Sequence, residues 1–272
     1  MKAFAWLCMS AAMALGAVGA AQAQELENLW QNVQSAGKLR CGAAVAPPHV
    51  IRDAKTGEFS GTFVDLCREF GEKILKVDVE VIDTTWDNIV AGLQANKWDV
   101  SLALNRTPTR SLAVTFTEPA WHYEISLVHD KKNPKIQADW KSLADFDKEG
   151  VVIAVMSGTA QEHTLSDEVK HATLMRLPDS DATRLALSSR RADVLADDGD
   201  SNAMFVALNK GQWATVLPDP AISKQGMGFG LRRNTAPSDI MAFNVFLEEE
   251  IATGHVQAIG EGYIAKVAAQ AQ

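Results

Sequence analysis

Short apolar strands alternate with amphipathic helices along this chain, and the alternation starts twice; no other feature restricts the fold as much. Lys38 to Ala44 reads as a strand stopped by Pro47-Pro48, and Thr56-Gly57 as a turn. Phe63, Leu66, Cys67, Phe70 and Ile74 then fall at i, i+3, i+4, i+7 and i+11, the spacing of one helical face. Val77 to Ile82 is the next strand, a helix carrying Ile89, Val90 and Leu93 follows, and Val100 to Leu104 is a strand again. Parallel strands need a crossover, usually a helix, so this βαβαβ order predicts a parallel sheet covered by helices. After Lys131-Lys132-Asn133-Pro134-Lys135, a solvated turn rather than a binding patch, the alternation restarts. Strands at Val151 to Val155, Thr173 to Leu177 and Val194 to Ala196 are flanked by helices near Gln161 to Lys170, Asp181 to Arg190 and Ser201 to Leu208. A last helix opens at Pro237 and carries Ile240, Phe243, Leu247 and Ile251 on one face. The expected fold is α/β in two units, without a usable internal repeat.

A length of 272 residues suits two such units. Hydrophobic residues are 47% and charged residues 22%, which excludes a disordered polyelectrolyte and a polytopic membrane protein. The net charge is -8 and no basic stripe appears, so nucleic acid is not an expected partner. Lys2, the apolar stretch Ala3 to Ala21 and the ending Ala21-Gln22-Ala23 form the pattern of a cleaved signal peptide over residues 1–23. A membrane anchor is the competing reading, but Ser10, Gly16 and Gly19 interrupt the stretch. Beyond that leader Cys41 and Cys67 remain. An oxidising compartment allows a disulfide between them, whereas their apolar-periodic positions favour two buried thiols.

Catalytic motifs are not found. The six histidines show no HExxH or paired-cysteine spacing, so no metal site and no cofactor are expected. No G-x-S-x-G elbow exists. Gly226-Met227-Gly228-Phe229-Gly230 has G-x-G-x-G spacing and reads as a crossover between units rather than a phosphate loop.

A series of short motifs runs along the chain in fixed order: Gly37-Lys38-Leu39-Arg40-Cys41-Gly42, Pro47-Pro48, Gly61-Thr62-Phe63-Val64-Asp65-Leu66 and Trp86 to Gln94. It continues with Trp98-Asp99-Val100, Thr107-Pro108-Thr109-Arg110, Phe116-Thr117-Glu118-Pro119, Ser157-Gly158-Thr159 and Arg191-Ala192-Asp193. The set resembles the extracellular solute-binding proteins that serve amino-acid uptake, the periplasmic binding proteins of ABC transporters. The resemblance implies a two-lobed, type II periplasmic-binding-protein fold, each lobe a mainly parallel sheet flanked by helices, joined by two crossovers. Lobe 1 would take residues 24-121 plus 226-272 and lobe 2 residues 122-225. It further implies a monomer that clamps a small amino-acid-like ligand by hinge closure and delivers it to a membrane permease, or to a membrane sensor.

Within that resemblance the residues suit a zwitterion. Arg110 follows a Thr-Pro-Thr turn that opens a helix, so its guanidinium fork can take a carboxylate; a solvated helix end is the plainer alternative. Gly158 and Thr159 lie between a buried strand and a helix, where backbone N–H groups favour an anion, with ordinary capping as the alternative. Asp198 stands where relatives place the ammonium acceptor, and Asp197 and Asp200 crowd the same loop, Asp200 reading as solvated. Trp86 sits where relatives put an aromatic against the ligand, with a core tryptophan as the competing reading. His49 replaces an aromatic wall, Asn105 is assigned to the cleft, and Thr62 and Phe63 replace the family's Phe and Asp. Met156, just before the Ser-Gly-Thr turn, offers no charge, so acidic ligands should be rejected in favour of neutral polar, aromatic or cationic ones. Cyclohexadienyl dehydratases share the implied fold, but the carboxylate acid they carry near the last crossover is missing from Lys224 to Gly230.

Overall fold

The computed structural model describes residues 25–208 and 211–270, and the leader read over residues 1–23 lies outside them. The chain opens with α1 (Leu29–Ala36), β1 (Lys38–Ala43), a β2–β3 hairpin (Ile51–Arg52 and Phe59–Ser60) and α2 (Thr62–Glu69). Next come β4 (Asp78–Asp83), α3 (Ile89–Gln94), β5 (Val100–Asn105), α4 (Pro108–Ser111) and β6 (Val114–Phe116). The long β7 (Trp121–Asp130) leads through α5 (Leu143–Phe146) into β8 (Val152–Met156), α6 (Ala160–Glu168) and β9 (Thr173–Leu177). They are followed by α7 (Ser180–Ser188), β10 (Val194–Asp198), α8 (Gly199–Leu208) and β11 (Trp213–Val216). β12 (Lys224–Arg232) returns, and α9 (Pro237–Ala252) and α10 (His255–Gln270) close the fold.

The main sheet runs β4-β1-β5-β12-β7-β10-β8-β9, with β6 beside β12 and β11 beside β7. β1 is parallel to β4 and β5, and β8 is parallel to β9 and β10, which gives two parallel halves. β12 and β7 run antiparallel to these halves and to one another, pairing from Lys224 with Glu124 to Met227 with Trp121. The two long strands are the crossovers of a two-lobed type II fold, and the glycine run Gly226–Gly230 lies inside one of them. Its glycines permit close packing: a Cβ on Gly226 would stand 2.6 Å from the Pro119 ring.

Each half is locked by the same device. Asp99 Oδ2 accepts the Arg40 N–H at 2.9 Å while its own N–H donates to the Arg40 carbonyl at 2.8 Å. Asp193 repeats both bonds on Val152, at 2.9 and 2.8 Å. The structure thus shows a duplication that the sequence hides. Asp193 also accepts from Asn133 and from Lys135 Nζ, so Lys135 is tied into the fold while Lys131 and Lys132 face solvent as expected.

Three readings of the core are corrected. α2 widens into a π-turn at Phe70–Leu75, which rotates Ile74 out to 53% exposure and turns Leu75 inward. In α9, Ile251 is 45% exposed, and Phe246 is buried beside Phe243 and Leu247 instead. Cys41 and Cys67 are joined in a disulfide rather than left as two thiols. Their apolar periodicity places both at the buried β1–α2 interface, where burial and bonding are compatible. Phe70 stacks on Phe243 with ring centroids 4.1 Å apart and Trp30 meets Phe70 edge-on at 5.0 Å, so α1, α2 and α9 share one aromatic cluster.

Candidate functional site

The C-terminal ends of β1, β5, β8 and β10 meet across the line where the two halves face each other. Pro108 at N1 and the Thr107 hydroxyl, which accepts the Arg110 N–H at 3.1 Å, start α4 and aim Arg110 into this line. The guanidinium is 8% exposed and donates to the carbonyls of Asn105 at 3.4 Å and Gly158 at 3.2 Å. It lies 5.7 Å over the Trp86 ring, whose Nε1 donates to the Val45 carbonyl. Among the described residues no carboxylate pairs with Arg110, and burial pulls its pKa down to about 10.

Gly158 and Thr159 carry the chain from β8 to α6. Thr159 Oγ1 accepts the Glu162 N–H at 3.2 Å and donates to the Met156 carbonyl at 2.6 Å, so the capping read from the sequence is present. Gly158 has φ of +73°, and a Cβ there would stand 2.5 Å from Asp87 Oδ1 and 2.8 Å from the Trp86 carbonyl carbon. Only glycine lets this turn touch the opposite lobe so closely.

Asp197 and Asp198 lie within β10 rather than in a loop, 5% and 6% exposed. Burial raises the Asp197 carboxyl, while the Arg184 charge, the Asp198 N–H and Gln161 Nε2 at 2.8 Å act against that rise. Asp198 is pushed well above the ordinary carboxylate range by burial and then by the charges of Asp200 and Asp197. Its Oδ1 accepts the N–H groups of Asp200 at 2.8 Å and Ser201 at 3.3 Å, at the start of α8. Asp200 is not simply solvated. Its Oδ2 accepts Trp121 Nε1–H at 2.8 Å and faces His49 Nε2 at 3.7 Å, and beside it the Ser201 hydroxyl donates to the Pro47 carbonyl.

His49, Trp86, Asn105, Met156, Thr159, Asp197 and Asp198 together line a central cavity of about 20 Å³. That is room for about one water molecule. Arg110 and Gly158 lie on its outer side, along a cleft of about 640 Å³ that shares Trp86 with the cavity. Sequence reasoning missed Tyr123, Gln161, Ser180 and Ser201 in the lining. Tyr123 donates its hydroxyl to Gln161 Oε1 at 3.1 Å, and Gln161 in turn holds Asp197. Polar residues on a long crossover strand and inside helices carry no periodic mark, so no signal in the sequence separates them from solvated ones. Two of the lining residues also carry buried polar atoms without hydrogen-bond partners: Asn105 Nδ2 and both ring nitrogens of His49. The set thus offers a charged donor fork at Arg110 and carboxylate acceptors at Asp197 and Asp198, on two sides of a cavity with room for about one water molecule.

A family description, bacterial extracellular solute-binding proteins, family 3, matches residues 39–266. The chain is 32% identical over 214 residues to the "Putative amino-acid ABC transporter-binding protein YhdW" of Escherichia coli K12, covering 74% of this chain and 60% of that protein. It thus spans about 60% of the length of that curated relative. Among solved structures, the ancestral amino acid-binding protein AncCDT-1, described as a precursor of cyclohexadienyl dehydratase, superposes with a TM-score of 0.77 at 26% identity. That match covers 86% of this chain and 99% of the other. An ancestral arginine-binding protein bound to arginine superposes with a TM-score of 0.71 at 26% identity, over 84% of this chain and 98% of the other. With its two parallel half-sheets, its paired crossover strands and a family match over most of its length, the chain belongs to the bacterial extracellular solute-binding proteins, family 3.

Proposed function

We propose that this protein captures one amino acid in the periplasm, closes its lobes around it and hands it unaltered to the permease of an ABC importer. The observation that carries the reading is Arg110: a guanidinium buried between the lobes, bonded only to backbone carbonyls, with its charge left for a ligand carboxylate. The N–H groups of the Gly158–Thr159 turn approach the same region from the second lobe, and Asp198 takes the α-ammonium. Trp86 and His49 wall the side chain. Met156 supplies no positive partner, and Asp198 and Asp200 add negative charge, so the ligand is neutral or cationic rather than acidic. The lobes divide at residues 121/122 and 225/226, where β7 and β12 pair, and closure bends the chain there. A membrane sensor reads the same closed form, so it is the other candidate recipient. We assign no turnover: the relative named as a dehydratase precursor is itself an amino acid-binding protein, and Lys224 to Gly230 carries no carboxyl group to act as an acid.

Arg110→Lys tests the clamp. A point-charge ammonium cannot reproduce the planar two-bond fork, and breaking a buried charge pair costs on the order of 2 to 5 kcal/mol. Titration calorimetry with the wild type's best amino acid should show that loss. Affinity within about threefold of wild type, roughly 0.65 kcal/mol, would remove Arg110 from the site.

A further inference from the structure

His49, Asp198 and Asp200 converge where the lobes meet, and one atom from each lies within 4.8 Å of the others. His49 stands between β1 and β2, Asp198 ends β10 and Asp200 opens α8, so no spacing motif marks them. The imidazole is 1% exposed and neither ring nitrogen has a hydrogen-bond partner. Its Nε2 faces Asp200 Oδ2 at 3.7 Å, too far for a hydrogen bond. Leaving both nitrogens unpaired in the interior is costly. Imidazole nitrogen is among the commonest metal ligands. On the opposite side stand Asp198 and Asp200, and among the described residues neither pairs with a lysine or an arginine. Trp121 Nε1–H donates at 2.8 Å to the same Asp200 oxygen that faces His49, which holds the carboxylate in place, as outer hydrogen-bond donors do for metal-binding carboxylates. A cavity of about 710 Å³ lined by Trp121, Asp198 and Asp200 opens the two carboxylates to solvent.

We propose that His49, Asp198 and Asp200 form a site for a divalent transition-metal cation, zinc fitting best, that bridges the two lobes. One imidazole nitrogen with carboxylate oxygens suits zinc and its first-row neighbours, whereas calcium and magnesium select oxygen alone. Tetrahedral ligands about 2.0–2.1 Å from zinc lie roughly 3.3 Å apart, so the 3.7 Å pair closes with a small rotation. Asp198 serves both this site and the proposed ammonium site, so cation and amino acid compete for it, yet each is measured alone.

The whole protein, treated with a chelator and free of amino acid, is titrated with zinc chloride by calorimetry and with cobalt chloride by visible absorption. One cation per chain is expected, weakened about tenfold or more by His49→Phe and by Asp200→Asn. His255→Ala, in the separate group of Glu69, Glu250 and His255, should leave it unchanged. Thermal melts establish that each variant folds. No binding at millimolar zinc would overturn the site, as would zinc binding that neither His49→Phe nor Asp200→Asn weakens, or that His255→Ala abolishes. Amino-acid affinity in the chelator-treated wild type is read in parallel. Amino-acid binding without zinc binding defeats this inference alone; zinc binding without amino-acid binding supports it and defeats the proposed function.

Discussion

A buried charge needs a partner, because desolvation costs several kcal/mol that only pairing and hydrogen bonds offset. Arg110 and Asp193 meet that requirement differently. Asp193 is fully provided for: burial works against its charge, but Lys135, Asn133 and the Val152 N–H more than offset this and hold its pKa below the ordinary value. A carboxylate with a lowered folded-state pKa stabilises the fold above its unfolded value near 3.8, and that contribution disappears as pH falls through the folded value. Asp193→Asn should therefore cost about 1–3 kcal/mol at pH 7 in urea unfolding, and the gap from wild type should shrink below about pH 3.8. A gap of equal size at pH 7 and pH 3 would contradict this role. Arg110, by contrast, has carbonyls and an aromatic face but, among the described residues, no anion. The family resemblance pointed to Asp198 by its position after Asp193, and to Arg110 through the Thr-Pro-Thr turn before it. It could not show Asp200 gripped by Trp121, 79 positions away, or Tyr123 holding Gln161, since such pairs exist only after folding.

At the scale of elements, strands and helices were legible because apolar periodicity is local and fixes which face is buried. β9 runs over Thr173–Leu177 as read, and β10 starts at Val194 as read but continues through Asp197 and Asp198, acids that interrupt an apolar pattern. The π-turn after α2 was illegible for a similar reason: Ile74 keeps helical spacing in the sequence while the backbone changes its period. The disulfide between β1 and α2 closes a separation of 26 residues. Cross-linking a loop of this length typically contributes about 2–4 kcal/mol by restricting the unfolded chain. Cys41→Ala/Cys67→Ala should lose that amount in urea unfolding under non-reducing conditions. A double variant as stable as wild type would show that the bond adds nothing to packing already present in the aromatic core.

Considered whole, the molecule is closed. Arg110 reaches Gly158, Ser201 reaches Pro47, and Asp200 faces His49 and Trp121, each contact joining opposite sides of the cleft. The central cavity of about 20 Å³ has no room for an amino acid, so the proposed capture requires the lobes to part. In the proposed function, a zwitterion touching Arg110, the Gly158–Thr159 turn and Asp198 would contact both lobes at once, and that differential contact would favour closure around it. The measurement that decides most directly is calorimetry of the wild-type protein against a panel of the common amino acids, with NMR of the recovered ligand after long incubation. The expected result is one bound molecule per chain, a neutral or cationic amino acid preferred over glutamate and aspartate, and a recovered spectrum identical to the starting one. Glutamate binding as tightly as any neutral or cationic amino acid, or a new product in the recovered ligand, would contradict it.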